Sequence, residues 1–176
     1  MKISSIEEGW EEISSLNGRV ILRLPEQLKE QPYEKVEERF PYHSKPQEVR
    51  MDEDGKTIFT LNLLEKQLEE GQIQAAVREI QRMITHIYPE SIRNCARSMK
   101  IEAGMTGWFS FVTGGLADDN YHIMFIMSVL GQMMFGSYHF PAGQEKEEKE
   151  NILEILRSIR ITETNRDKLR RQDIWK

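Results

Sequence analysis

The sequence predicts an α+β fold in which an antiparallel-rich sheet is sandwiched between helices. Three observations carry this. Residues 97–140 are a run of strand-like segments separated by turn residues. Two of those segments, Tyr121 to Val129 and Gln132 to Phe140, are apolar on both faces, as a sheet covered on both sides requires. On either side of the run lies a stretch of helical period with an apolar stripe that has to be buried.

Composition agrees. The chain has 176 residues, 39% hydrophobic and 30% charged. That fits one globular domain and argues against a membrane protein, a collagen or a disordered acidic tail. Lys and Arg number 24 against 29 Asp and Glu, a net charge of -5, which argues against a nucleic-acid partner. The one cysteine, Cys95, forms no internal disulfide and no multi-cysteine zinc site. Met1 to Glu8 has no continuous apolar run, so no secretory signal is expected and the predicted location is cytoplasmic.

In chain order, Ser5 to Glu8 has capping-box spacing, and Ile6, Trp10 and Ile13 follow at helical intervals, so residues 5–15 are expected as a short helix. Asn17-Gly18 is a turn, and Arg19 to Leu24 a strand stopped by Pro25. Four prolines between residues 25 and 47 leave room for a helical turn only. Val49 to Met51 and Thr57 to Leu64 read as a hairpin about Asp54-Gly55. From Gln72 the period turns helical: Ile73, Val77, Ile80, Ile84 and Ile87 mark a stripe to be buried, and Pro89 ends the helix. Strands are then expected at 97–102, Thr106 to Thr113, Tyr121 to Val129 and Gln132 to Phe140. Residues 144–160 return to helix, with Ile152, Ile155, Leu156 and Ile159 inward and the acidic run Glu145 to Glu150 solvated at its start. The domain is thus residues 1–161, and 162–176 are a polar C-terminal tail.

This order of elements resembles the PsbP-like α/β/α sandwich superfamily. The matching pieces are the strand ending Leu24-Pro25, the hairpin Pro46 to Leu64, the helix at 72–88, the meander 97–140, and the closing helix ending Leu156-Arg157-Ser158-Ile159. They cover most of residues 18–160. The superfamily includes the extrinsic PsbP protein of photosystem II, a Ran-binding nuclear import factor and small bacterial proteins, some of them effector chaperones. The resemblance implies a scaffold and a binding or accessory role, and it transfers no active site.

The residues themselves offer few sites. Pairing Val129 with Gln132 across Leu130-Gly131 places His122 opposite His139, where two imidazoles would share a divalent metal if other ligands were at hand. Only Asp118 and Asp119 are near, and Leu-Gly is a poor two-residue turn, so a slip of one residue would part the pair. Asp52, Glu53 and Asp54 before Gly55 lack the glutamate that a calcium loop carries at its twelfth position, where Leu63 stands. Cys95 has Arg93 and Arg97 beside it but no base nearby in sequence. No serine stands in a nucleophile elbow. Gly114-Gly115 and Gly104-x-x-Gly107 read as turns, since no phosphate-loop lysine follows. Met124, Met127, Met133 and Met134 read as core filler, with a promiscuous binding surface as the other use of methionine.

The expectation is therefore a non-enzymatic, chaperone-like or adaptor-like bacterial domain. It binds a protein or peptide, has no cofactor, no metal and no catalytic residues, and is compatible with homo-oligomers. The alternative is a metal protein or enzyme using the His122/His139 face or Cys95.

Overall fold

The structure is a computed structural model and describes residues 8–41, 45–114 and 119–162. Among the described residues there are two antiparallel sheets and three α-helices. In chain order the strands are β1 (Trp10–Ser15), β2 (Val20–Pro25), β3 (Lys29–Glu30), β4 (Glu48–Met51), β5 (Ile58–Gln67), β6 (Ile92–Arg93), β7 (Arg97–Ile101), β8 (Gly104–Thr113), β9 (Asn120–Val129), β10 (Gln132–Pro141) and β11 (Arg160–Ile161). The helices are α1 (Tyr33–Arg39), α2 (Ile73–Ile87) and α3 (Glu145–Ser158).

The large sheet runs β3-β4-β5-β10-β9-β8-β6, with β7 also paired to β8. The long central strands alternate strictly. Phe59, Leu61, Ile123, Phe125, Tyr138 and Phe140 share one core with Val20, Leu22 and Leu24 of β2 and Ile152, Ile155 and Leu156 of α3. Phe109, Phe111, Ile126 and Met133 face the other way, against Ile73 and Val77 of α2. The Leu130-Gly131 turn holds without a slip. Val129 pairs with Gln132, and both turn residues adopt positive φ, 53° and 83°, as a tight two-residue hairpin demands.

Several expectations need correction. The helix expected over 5–15 is strand β1 from Trp10 onward; residues 1–7 lie outside the described part. Gly9 sits at φ +88°, and β1 pairs with β2 from Trp10 opposite Pro25 to Ser15 opposite Val20. A weak helical spacing of three apolar residues loses to this ladder. β2 also receives β11, so a second, three-stranded sheet β1-β2-β11 joins α3 on one side of the large sheet. The closing helix accordingly stops at Ser158, and residues 160–161 are strand. Gly107 is not in a turn but inside β8. A Cβ there would stand 2.9 Å from Ile73 and 3.1 Å from Val77, so its absence is what lets α2 lie so close.

The acidic start of α3 is only partly solvated. Glu148 is buried, and its carboxylate accepts hydrogen bonds from the Tyr138 hydroxyl and from Asn151 Nδ2. Burial first, and Glu148 second, push the Tyr138 phenol well above its ordinary value.

Candidate functional site

His122 lies on β9 and His139 on β10, and the register sets them directly opposite, as the spacing predicts. Both are half-buried, on the α2 side of the sheet. Their Nδ1 atoms are hydrogen-bonded to each other. The outer nitrogens are occupied too. His122 Nε2 shares a hydrogen bond with Thr113 Oγ1 at 2.7 Å, and His139 Nε2 with Ser137 Oγ at 2.9 Å. Ser137 Oγ continues to Thr60 Oγ1 at 2.5 Å. The result is a polar chain across four strands, from β8 through β9 and β10 to β5.

This arrangement explains the protonation state. One proton between two Nδ1 atoms serves two neutral rings; a second would set two N–H groups against each other. Loss of water around the rings, then the Arg39 guanidinium at the end of α1, lowers His122 to about 4. The same desolvation, then His122 and Arg39, lowers His139 to about 3.

The geometry is that of a hydrogen-bonded pair rather than two ligands spread around an ion. No third ligand joins them: among the described residues no group of three His, Cys, Asp or Glu is placed to hold a metal. Asp118 and His43 lie outside the described residues, and Asp119 is exposed.

The remaining candidates scatter. Cys95 is free and exposed in the loop between β6 and β7, and Arg97 beside it is exposed. Asp52 is used locally: its Oδ1 accepts the Lys56 and Thr57 amides at 2.8 and 3.1 Å, which closes the β4–β5 turn at Gly55. Met127, Met133 and Met134 are buried in the cores, as expected, while Met124 is only half-buried.

The feature that sequence reasoning missed lies on α2. Its apolar stripe is buried only at the beginning. Ile73 and Val77 are 1% exposed, Ile80 and Ile84 are half-buried, and Met83, Ile87 and Tyr88 are 56%, 61% and 44% exposed. The expectation of one buried stripe fails toward the helix end, where Ile80 and Ile84 still pack on the core but Met83 and Ile87 face solvent. Tyr88 stacks on Phe111 at 5.8 Å between ring centroids, and Phe111 stacks on His122 at 4.6 Å. Met83, Ile87 and Tyr88 are thus an exposed apolar group at the end of α2, and below Tyr88 lie buried Phe111 and the half-buried histidine pair. Periodicity alone gives no sign of this, since a partly covered stripe and a fully buried one read alike.

No family model matches the sequence, and no curated protein does. Solved structures do. Cyanobacterial PsbP (CyanoP) from Synechocystis superimposes with a TM-score of 0.59 at 5% identity, over 92% of this chain and 98% of that one. The fold is PsbP-like. Two further structures agree on the PsbP-like fold. The Ran-binding protein Mog1p of Saccharomyces cerevisiae gives a TM-score of 0.54 at 12% identity, over 89% and 97% of the two chains. LpqN of Mycobacterium tuberculosis, involved in cell envelope biogenesis, gives 0.50 at 8% identity, over 88% and 91%. Identities this low establish the PsbP-like architecture and carry no residue roles. Among the described residues no helix is long and apolar enough to cross a membrane.

Proposed function

We propose that this protein is a non-enzymatic binding module of chaperone-like or adaptor-like kind, acting in the cytoplasm on a protein or peptide partner. The observation that carries the reading is the exposed apolar group of Met83 and Ile87 on the last turns of α2 with Tyr88 just after it. Large apolar side chains grouped at one helix end, with a methionine able to adapt its shape, are what a docking surface for another polypeptide needs. That a Ran-binding protein is built on the same fold supports the reading without naming a partner. The histidine pair serves this module as a packed polar element under the surface. Both rings are neutral and every ring nitrogen has a partner, so neither is poised as a base.

The test is a comparison of partners captured by the native chain and by a Met83→Glu/Ile87→Glu variant in the source organism. Partners held by the native chain and lost by the folded variant are expected. The same set from both would sink the assignment of this surface.

A further inference from the structure

The second feature is the unfinished outer edge of β5. On one side β5 pairs with β10, but only from Ile58 to Leu63 and again at Gln67; Leu64, Glu65 and Lys66 have no ladder partner there. On the other side β4 covers only Ile58 to Leu61. β4 cannot be prolonged upstream as a strand, because Pro46 has no N–H to give. From Leu63 to Lys66 the backbone of β5 therefore has an open side, and the three residues after Leu63 are exposed.

What occupies the first position of that open side is a side chain. Gln47 Nε2 donates to the Leu63 carbonyl at 3.2 Å, and Gln47 Oε1 accepts from the Leu63 N–H at 2.8 Å. Exchange of both bonds with one residue is what a directly opposed residue does in an antiparallel ladder. The carboxamide of Gln47 thus stands in for the peptide groups of a missing strand. Beside it is a cleft of about 380 Å³ lined by Leu16, Arg19, Gln47, Leu63, Glu65 and Gln132 among others. The hairpin turn between β1 and β2 forms its far wall. That wall is held in place, since Glu48 accepts from the Ser15 hydroxyl and, at 2.5 Å, from the Leu16 amide.

We propose that the edge of β5 from Leu63 to Lys66 is a docking site for an extended segment of a partner polypeptide, which adds to the large sheet as a strand and displaces the Gln47 side chain. The chemistry of the cleft describes the segment. Leu63 is half-buried and Leu16 buried, and the rest of the lining is polar or charged, so the segment is mostly polar with one apolar side chain where it meets Leu63. Arg19 lines the cleft with two carboxylates, Glu48 and Glu65, so the segment carries no net negative charge. Proline is excluded where the Leu63 carbonyl needs a donor. The site is separate from the apolar stripe on α2, and neither depends on the other.

Gln47 also blunts an edge that would otherwise invite pairing between copies. Removing the side chain separates these two roles. The experiment pans the full-length chain against a phage-displayed library of random extended peptides and maps the selected peptides by amide hydrogen exchange. The proposal expects slowed exchange at Leu63 to Lys66, an affinity raised about fivefold or more by Gln47→Ala because no side chain has to be displaced, and loss of binding when alternate backbone amides of the peptide are N-methylated. N-methylation leaves the protein untouched, so a misfolded variant cannot mimic that result. Peptides that protect only the end of α2, binding that tolerates N-methylation, or a library yielding no binder would each overturn it. So would a Gln47→Ala chain that dimerises and is thereby closed to peptides, which would assign the edge to a second copy. Peptides found at α2 alone would leave the binding-module reading standing while removing this one.

Discussion

Gly136 is the tightest point of the core. A Cβ on it would lie 2.1 Å from the Phe125 ring on the neighbouring strand, whose residue is paired directly opposite. Phe125 is fully buried and stacked against Phe59, so it has no room to withdraw. Gly136→Ala should therefore destabilise by ~1–3 kcal/mol or more. At about 2–4 °C per kcal/mol for a chain of this size, thermal melting reads the difference; an unchanged Tm would mean that the ring yields. The histidine pair makes a prediction in pH. Both folded values lie below the ordinary 6.5, so below that value the unfolded chain binds protons that the native pair refuses. The stability held above about 6.5 is lost as pH falls toward the lowered native values. Tm should drop between about pH 7 and about pH 5, and His122→Asn/His139→Asn should show a shallower drop. Equal slopes would place the acid sensitivity elsewhere.

At the scale of the element, α2 is two helices in one. Ile73 and Val77 of its first turns pack closely over Gly107, while on its last turns Ile84 is half-buried and Met83 and Ile87 are exposed. Val77→Asp buries an unpaired charge and should unfold the domain, a cost above about 4 kcal/mol. Ile87→Asp, on the same stripe, should change stability by about 0.5 kcal/mol or less, as surface substitutions do. Denaturant titration of both separates the two halves, and a similar large loss in each would show the outer half to be core. Element by element, the long periodic pieces were legible: β5, β8, β9, β10, α2 and α3 stand within a few residues of where pattern placed them. The short ones were not. β3, β6 and β11 have two residues each, and nothing in two residues distinguishes strand from loop. They are strands because Met51, Phe111 and Val20 with their neighbours offer backbone partners far away in sequence.

For the whole molecule, the last described contacts of the chain are at Thr162, whose amide donates to the Arg19 carbonyl at 2.9 Å and whose hydroxyl donates to Gly18. A domain that closes there, as the apolar pattern of the sequence implies, should keep its Tm when residues 163–176 are removed. A loss of many degrees would show that Leu169, Ile174 and Trp175 anchor to the body. Sequence by itself determined the two-faced central sheet and the helical stripes on either side of it, because each follows from a local period of two or 3.6; it offered His122 opposite His139 only if the Leu130-Gly131 turn kept its register, as it does in the structure. Only the tertiary structure decided that Trp10 to Ser15 is a strand, that a second sheet exists, that α2 leaves Met83, Ile87 and Tyr88 uncovered, and that Gln47 fills an open edge of β5. Those outcomes depend on partners tens of residues away. A local pattern states which side chains must be hidden, and only the assembled layers determine which of them actually are.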